Sequence, residues 1–322
     1  MNNSQRGLTI ALISLIGISV LVSLASIFST PGGQREGKLS KAVNSDHLAA
    51  NKPGIAIVPI YGGIEVSQER GMLGLTSDGS DGICDMLDTL QHNKNIKAIV
   101  LRINSPGGSI GAVQEIYQKI EELKANGVKV VASMGDIAAS GGYYLACTAD
   151  KIYANPGTLT GSIGVIMSSV EFGDALSKFG VHVNVIKSGP HKDIFSPYRK
   201  MTDKENKILQ SCINDSYSQF LGVVAGARKI PMSSLREIAD GRIFTGRQAK
   251  SVGLVDELGS LDSAIAAAGK LAGLGDNPHI YSEQDYYLNG ILKQFNIYFN
   301  QKNWAKVILN SGIPKIEYRF TP

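Results

Sequence analysis

From residue 54 onward, short runs rich in Ile and Val alternate with segments of helical period, and that alternation leaves few folds open. Residues 55–60, 96–103, 128–133, 151–154 and 181–187 read as strands. Between and around them, residues 83–91, 109–125, 140–147 and 172–179 read as helices. The clearest is 109–125, where Ile110, Val113, Ile116, Tyr117, Ile120 and Leu123 fall on one face before an Asn126-Gly127 stop. Near-continuous apolar strands separated by helices imply right-handed crossovers and a largely parallel α/β sheet buried on both sides. A long helix is predicted over 202–229, opened by a Thr202/Glu205 capping box, then shorter helices over 233–239 and 261–271.

The N-terminal part obeys a different rule. Residues 8–28 carry no charge, and at about 1.5 Å per residue they reach about 31 Å, enough to cross a bilayer. This length fits a transmembrane anchor better than the core of a cleaved signal peptide. Arg6 precedes the stretch, whereas Arg35, Lys38 and Lys41 follow it, so the flanking charges do not set its orientation. The expected layout is a cytoplasmic stub and anchor over 1–30, a linker over 31–53, a folded domain over 54–276 and an extension over 277–322. The folded domain is expected on the extracytoplasmic side of the cell membrane.

Composition narrows the chemistry. The net charge of +4 is spread without a basic stripe, which argues against nucleic acid as a partner. The three cysteines, Cys84, Cys147 and Cys212, lie in apolar surroundings without CxxC spacing and read as buried thiols. The five histidines form no HExxH pair, so no catalytic metal is expected, nor any other cofactor.

Three glycine-rich turns end predicted strands: Asn104-Ser105-Pro106-Gly107-Gly108-Ser109, Ala138-Ala139-Ser140-Gly141-Gly142 and Thr158-Leu159-Thr160-Gly161-Ser162-Ile163-Gly164. In open parallel sheets, ligands gather at these ends. None of the turns reads GxGxxG or GxxxxGK[ST], which weakens a phosphate site. Ser140 is the best candidate nucleophile, since small neighbours let a substrate backbone approach; its competing role is a plain helix N-cap. The turn is not the GxSxG elbow. A serine needs a base, and the segment Lys187-Ser-Gly-Pro-His-Lys-Asp193 offers two. One is His191, with Asp193 behind it. The other is Lys192, which can accept a proton only where its amine is partly neutral. The local residues leave both open.

Taken together, Ile103-Asn-Ser-Pro-Gly-Gly108, Met134-Gly-Asp-Ile-Ala-Ala-Ser-Gly-Gly-Tyr-Tyr144, the 156–165 turn, Ser188-Gly-Pro-His-Lys-Asp193, Gly241-Arg-Ile-Phe-Thr-Gly-Arg-Gln-Ala249 and Gly253-Leu-Val-Asp256 resemble the signal peptide peptidase A family in order and spacing. The resemblance covers residues 53–273. It implies a ClpP/crotonase-like superhelix of repeated ββα units behind the transmembrane helix. It also implies a serine endopeptidase acting through an acyl-enzyme, with Ser140 as nucleophile and Lys192, rather than His191, as general base. Ser162 would orient the lysine, and Gly107 or Gly108 would join Gly141 in the oxyanion hole. Expected substrates are hydrophobic peptides such as released signal peptides. The expected assembly is a homo-oligomer, an octamer in short members and a tetramer in duplicated ones.

Two other readings compete. A crotonase acting on a coenzyme A thioester would share the fold, but no acidic residue stands in the glycine turns that line up with Ser140. A membrane scaffold without activity would not need both Ser140 and Lys192.

Overall fold

The computed structural model describes residues 52–66 and 79–281. The predicted membrane span over 8–28, the linker and residues 282–322 lie outside the described residues. Among the described residues no helix is long and apolar enough to cross a membrane.

The centre is a stack of three long parallel strands: β1 (Gly54–Ile64), β2 (Ile96–Gly108) and β3 (Lys129–Ala139). Ala98, Ile99, Val100, Leu101 and Ile103 of β2 are all fully buried, as a strand covered on both faces requires. Alternate residues serve different layers. Ile55, Ala98, Val100 and Val131 pack with Ala264 and Ala268 of α8 (Leu261–Leu271). Ile99, Leu101 and Ile103 point the other way, into the larger cluster. That cluster includes α1 (Ser80–Gln91), α2 (Ile110–Ala125) and α3 (Gly141–Ala146). Of the stripe foreseen on α2, Val113, Ile116, Ile120 and Leu123 are buried and Tyr117 is partly so, while Ile110, in the first turn, is exposed.

Strand β3 serves two neighbours in succession. Its first half, Val131 to Met134, pairs with β4 (Lys151–Ala154), and its last three residues, Ile137 to Ala139, pair with β5 (Leu159–Gly161). Thr158 and Thr160 secure the second pairing by donating their hydroxyls to the carbonyls of Gly135 and Ala138, both at 2.6 Å. The sheet therefore forks along β3, and the ends of β2, β3 and β5 open into a crevice. This is an α/β sheet, parallel except where β6 (Ile243–Thr245) runs antiparallel to β5.

The remaining chain closes the rim. Helix α4 (Gly173–Lys178) precedes the long α5 (Asp203–Arg228), which opens on the foreseen Thr202/Glu205 capping box. After α6 (Met232–Ile238), α7 (Gly246–Ser251) begins with a second box, Thr245/Gln248, and β7 (Glu257–Leu258) follows. Arg228 forks onto Asp256 at 2.6 and 3.1 Å, while Asp256 accepts the Ile152 N–H, so the Gly253–Asp256 motif ties the end of α5 to β4. β8 (His279–Tyr281) pairs with β1, so the segment read as an extension from 277 begins by completing the sheet.

Two expectations need correction. Residues 181–187 are extended but form no strand, because nothing in the described chain pairs with them; all seven are exposed. Cys212 is exposed, because it faces outward from α5, whereas Cys147 is buried and Cys84 partly so. Burial first of all pushes the Cys147 thiol up to about 12 and the Cys84 thiol up to about 11, so neither is a ready nucleophile.

Candidate active site

Ser140 stands where β3 ends and α3 begins, and the backbone there is forced. Its φ of 52° and ψ of −120° lie outside the regions that L-residues favour. Neighbouring bonds hold it in place: its N–H donates to the Gly161 carbonyl at 2.9 Å, and its carbonyl accepts from Tyr144 N–H at 2.9 Å. Ser162 follows Gly161, the partner of Ala139 in the ladder, so the two serines leave adjacent strand ends at matching heights. Ser162 also has positive φ, 50°, and its N–H donates to the Arg242 carbonyl at 2.8 Å. Among the described residues only three non-glycine positions have positive φ, and two of them are these serines. Strain of this kind persists only where the surroundings over-determine it.

The glycines around Ser140 answer to close packing. A Cβ on Gly107, whose φ is +101°, would lie 2.6 Å from the Gly141 nitrogen and 3.0 Å from the Ser140 Cβ. A Cβ on Gly141 would strike Val113 at 2.6 Å. The 105–108 turn is thus pressed against the start of α3. The two glycine candidates for an oxyanion donor differ. Gly107 N–H already donates to Ser105 Oγ at 3.1 Å in the buried interior. Gly108 lines the cavity in front of Ser140 together with Gly141, and Gly107 does not. Gly141 is the first residue of α3, so its N–H has no acceptor within the helix.

That cavity, of about 530 Å³, brings Ser140, Ser162, Gly108 and Gly141 together. Its apolar wall comes from Ile110 and Val113 of α2, Tyr144 of α3 and Phe220 of α5. The Tyr144 ring is held between Tyr117 and Phe220, with centroids 5.5 and 5.0 Å away. Tyr144 lay within a motif already singled out, but Phe220 was invisible in the sequence, because the stripe of α5 does not say which cavity it faces. Gly241 lines the same cavity, which explains why the 241–249 motif travels with the catalytic turns.

Lys192 is elsewhere on the surface of the subunit. It is exposed and does not line the Ser140 cavity; its backbone N–H donates to the Gly189 carbonyl at 3.3 Å, and its amine makes no hydrogen bond among the described residues. Its neighbours are fixed: Asp193 accepts from Lys187 and Arg199, and the buried Nδ1 of His191, which has no hydrogen-bond partner, lies 3.6 Å from Glu205 Oε1. Asp193 is thus engaged with cations and makes no bond to His191. The structure brings Ser140, Ser162, Gly108 and Gly141 to one cavity and leaves Lys192, His191 and Asp193 outside it.

Comparison with known proteins identifies the family. Residues 122–275 match the model of peptidase family S49, and residues 72–160 match that of Clp protease. A putative protease of Synechocystis is 46% identical over 62% of this chain and 72% of its own length. A putative signal peptide peptidase SppA of Enterococcus faecium is 35% identical over 74% of this chain and 69% of its own. The chain belongs to peptidase family S49. It is a serine protease of the signal peptide peptidase A family, within the ClpP-like clan. A chloroplastic serine protease SPPA of Arabidopsis thaliana, 32% identical over 72% of this chain, covers only 34% of its own length, so that relative is much the longer molecule. For an S49 peptidase, a half-buried strained serine beside two glycine N–H groups in an apolar cavity is an arrangement suited to acyl transfer.

Proposed function

We propose that this S49 peptidase cleaves hydrophobic peptides, among them released signal peptides, through a Ser140/Lys192 dyad in which the lysine comes from a neighbouring copy of the chain. The observation that carries this is the Ser140 cavity itself, which among the described residues has a nucleophile, two glycine N–H groups and an apolar wall but no base. Lys192 sits on an arm, residues 164–200, whose apolar side chains face solvent in the single subunit. Ile166, Val170, Phe179 and Ile186 are 93, 75, 84 and 102% exposed. Covering each would contribute about 1.5–3 kcal/mol, so an assembly of identical copies, eight in a short member or otherwise four, is the arrangement that suits them.

In the reaction, neutral Lys192 takes the Ser140 proton as the hydroxyl oxygen attacks the peptide carbonyl carbon. The Gly108 and Gly141 N–H groups receive the developing oxyanion, and Ser162 supplies a hydroxyl to hold the lysine amine. Collapse of the tetrahedral species expels the amine product, which takes the proton from Lys192, and leaves an acyl-enzyme. Water, deprotonated by the same lysine, then releases the acid. Gly108 is preferred to Gly107 because the Gly107 N–H is already engaged by Ser105. The cavity wall of Val113, Tyr144 and Phe220 suits an apolar side chain next to the scissile bond. The uncharged stretch over 8–28 would hold the assembly at the cell membrane, with the catalytic domain on the extracytoplasmic side.

The test is hydrolysis of a quenched apolar peptide by wild type, Ser140→Ala, Lys192→Ala and His191→Ala. The first two variants should lose activity by about 10⁴-fold or more while remaining assembled, and a serine-directed phosphonate should label Ser140 in wild type. Near-full activity in Lys192→Ala, with loss in His191→Ala, would refute the dyad.

A further inference from the structure

The segment that carries Lys192 is held by more charge pairing than an exposed arm needs. Arg199 forks between two carboxylates. Its Nε and Nη2 donate to Asp193 Oδ2 and Oδ1 at 3.0 and 2.7 Å. Its Nη1 and Nη2 donate to Glu205 Oε2 and Oε1 at 2.9 and 2.7 Å. Nη2 also reaches the Asp193 carbonyl at 3.1 Å. Lys187 closes the turn from the other side, donating to Asp193 Oδ1 and to the Pro190 carbonyl. Glu205 is buried, and beyond Arg199 it accepts from the Thr202 N–H and hydroxyl, both at 2.9 Å. His191, on the other side of Lys192, leans its Nδ1 toward the same carboxylate.

Asp193 is therefore tied through Arg199 to Glu205 in the first turn of α5, His191 lies beside the same carboxylate, and the exposed Lys192 amine between them makes no hydrogen bond among the described residues. A planar guanidinium gripping two carboxylates is a rigid bracket that a lysine cannot reproduce. Isolated surface ion pairs contribute little to stability, so a five-member network here is better explained by what it holds still. The bracket also keeps Asp193 and Glu205 ionised: Arg199 is the largest influence on each, and it holds both carboxyls well below the usual carboxylate range.

We propose that Arg199, acting with Asp193 and Glu205, is a positioning bracket for the base: it fixes the 188–193 turn on α5 and so sets the direction in which Lys192 leaves the arm. This rests on Lys192 being the base; Arg199 and Glu205 act only through it. A lysine free to swing would spend more of its time hydrated and protonated, and less of it aligned with the serine hydroxyl. Peptide affinity would be untouched, since none of these residues lines the cavity.

The experiment uses the assembled full chain and the quenched apolar peptide, with kcat and KM measured from pH 6 to 10. In Arg199→Ala, kcat should fall about 10²-fold, the usual consequence of misplacing a catalytic group by about 1 Å. KM should stay within twofold, and the midpoint of the alkaline rise in kcat should move to higher pH. Arg199→Lys keeps the charge without the fork and should remain well below wild type. Millimolar guanidinium should restore part of the Arg199→Ala rate and none of the Lys192→Ala rate. Should Arg199→Ala not fold, Glu205→Gln and Asp193→Asn carry the same expectation with a smaller loss. A full rate in these variants overturns the bracket, as does a loss that follows melting or disassembly while the residual activity keeps the wild-type midpoint. An active Lys192→Ala would instead remove the base assignment beneath it.

Discussion

The central sheet and the 164–200 arm are built from the same kinds of residue and meet opposite fates. In β1, β2 and β3 most Ile and Val side chains pack among neighbouring strands and helices, and Ile55, Val58, Ile99, Val100 and Val131 are fully buried. In the arm, Val181, Val183, Val185 and Ile186 follow a strand-like pattern and find nothing within the described chain. β-branched composition proposes a strand, but a strand exists only where a partner supplies its hydrogen bonds. Ser140 belongs to the first region, whose surroundings can force it into a strained turn. Lys192 belongs to the second, whose apolar side chains stay exposed among the described residues.

The sharpest way to break this contrast is to charge the arm. Phe179→Asp combined with Ile186→Asp should disperse the assembly and reduce peptide hydrolysis by about 10⁴-fold or more, the loss expected once the base is gone. Sedimentation would report the first effect and the peptide assay the second, while the melting of the dispersed subunit should stay close to that of the wild-type core. An intact, active assembly would mean that the arm has no partner to lose. Next in size is Gly107→Ala, whose added Cβ would meet the Gly141 nitrogen at 2.6 Å in a backbone that glycine alone accepts readily. By displacing the Gly141 N–H it should lower kcat about 10²–10³-fold, as disabling an oxyanion donor does, with assembly unchanged by sedimentation.

Stability should separate the regions in the same way. Ile103→Ala, in the fully buried core, should destabilise the chain by about 2–5 kcal/mol. Ile186→Ala should change the dispersed subunit by no more than about 0.5 kcal/mol. Denaturant melting of both variants checks the pair; equal losses would erase the distinction. The smallest expected effect is on the arm's response to acid. Asp193 and Glu205 have folded pKa values below their unfolded ones, so their pairing with Arg199 is present in full above the ordinary carboxylate range. It weakens as pH falls below that range and is lost once pH has fallen through the depressed folded values. Hydrogen exchange in residues 187–205 should therefore be flat from pH 7 to 5 after correction for the intrinsic rate, and opening near pH 5 would contradict the bracket.

Much of the fold was legible because its signals were local. The stripe of 110–125, the Asn126-Gly127 stop and the Thr202/Glu205 box each depend on residues within a few positions of one another, and each reappears in the structure. The short strands β5, β6 and β8 were not legible, since three residues carry no period and owe their existence to distant partners. The glycine turns, far apart in the chain, meet in space: Ser140, Ser162, Gly108 and Gly141 line one cavity. Phe220 and Gly241 joined them only through the path of the chain. Arg199 was missed because its partners, six residues away on either side, meet only when the loop folds back onto α5.

The central claim is that Ser140 of one subunit works with Lys192 of another, and subunit mixing tests it most directly. Ser140→Ala and Lys192→Ala enzymes, each inactive, would be dissociated, combined and reassembled, then assayed on the quenched peptide. The account predicts that activity returns, because the Ser140→Ala subunit still brings a lysine to a neighbour that still has its serine. Mixed assemblies that form yet hydrolyse no more than the separate variants would contradict it.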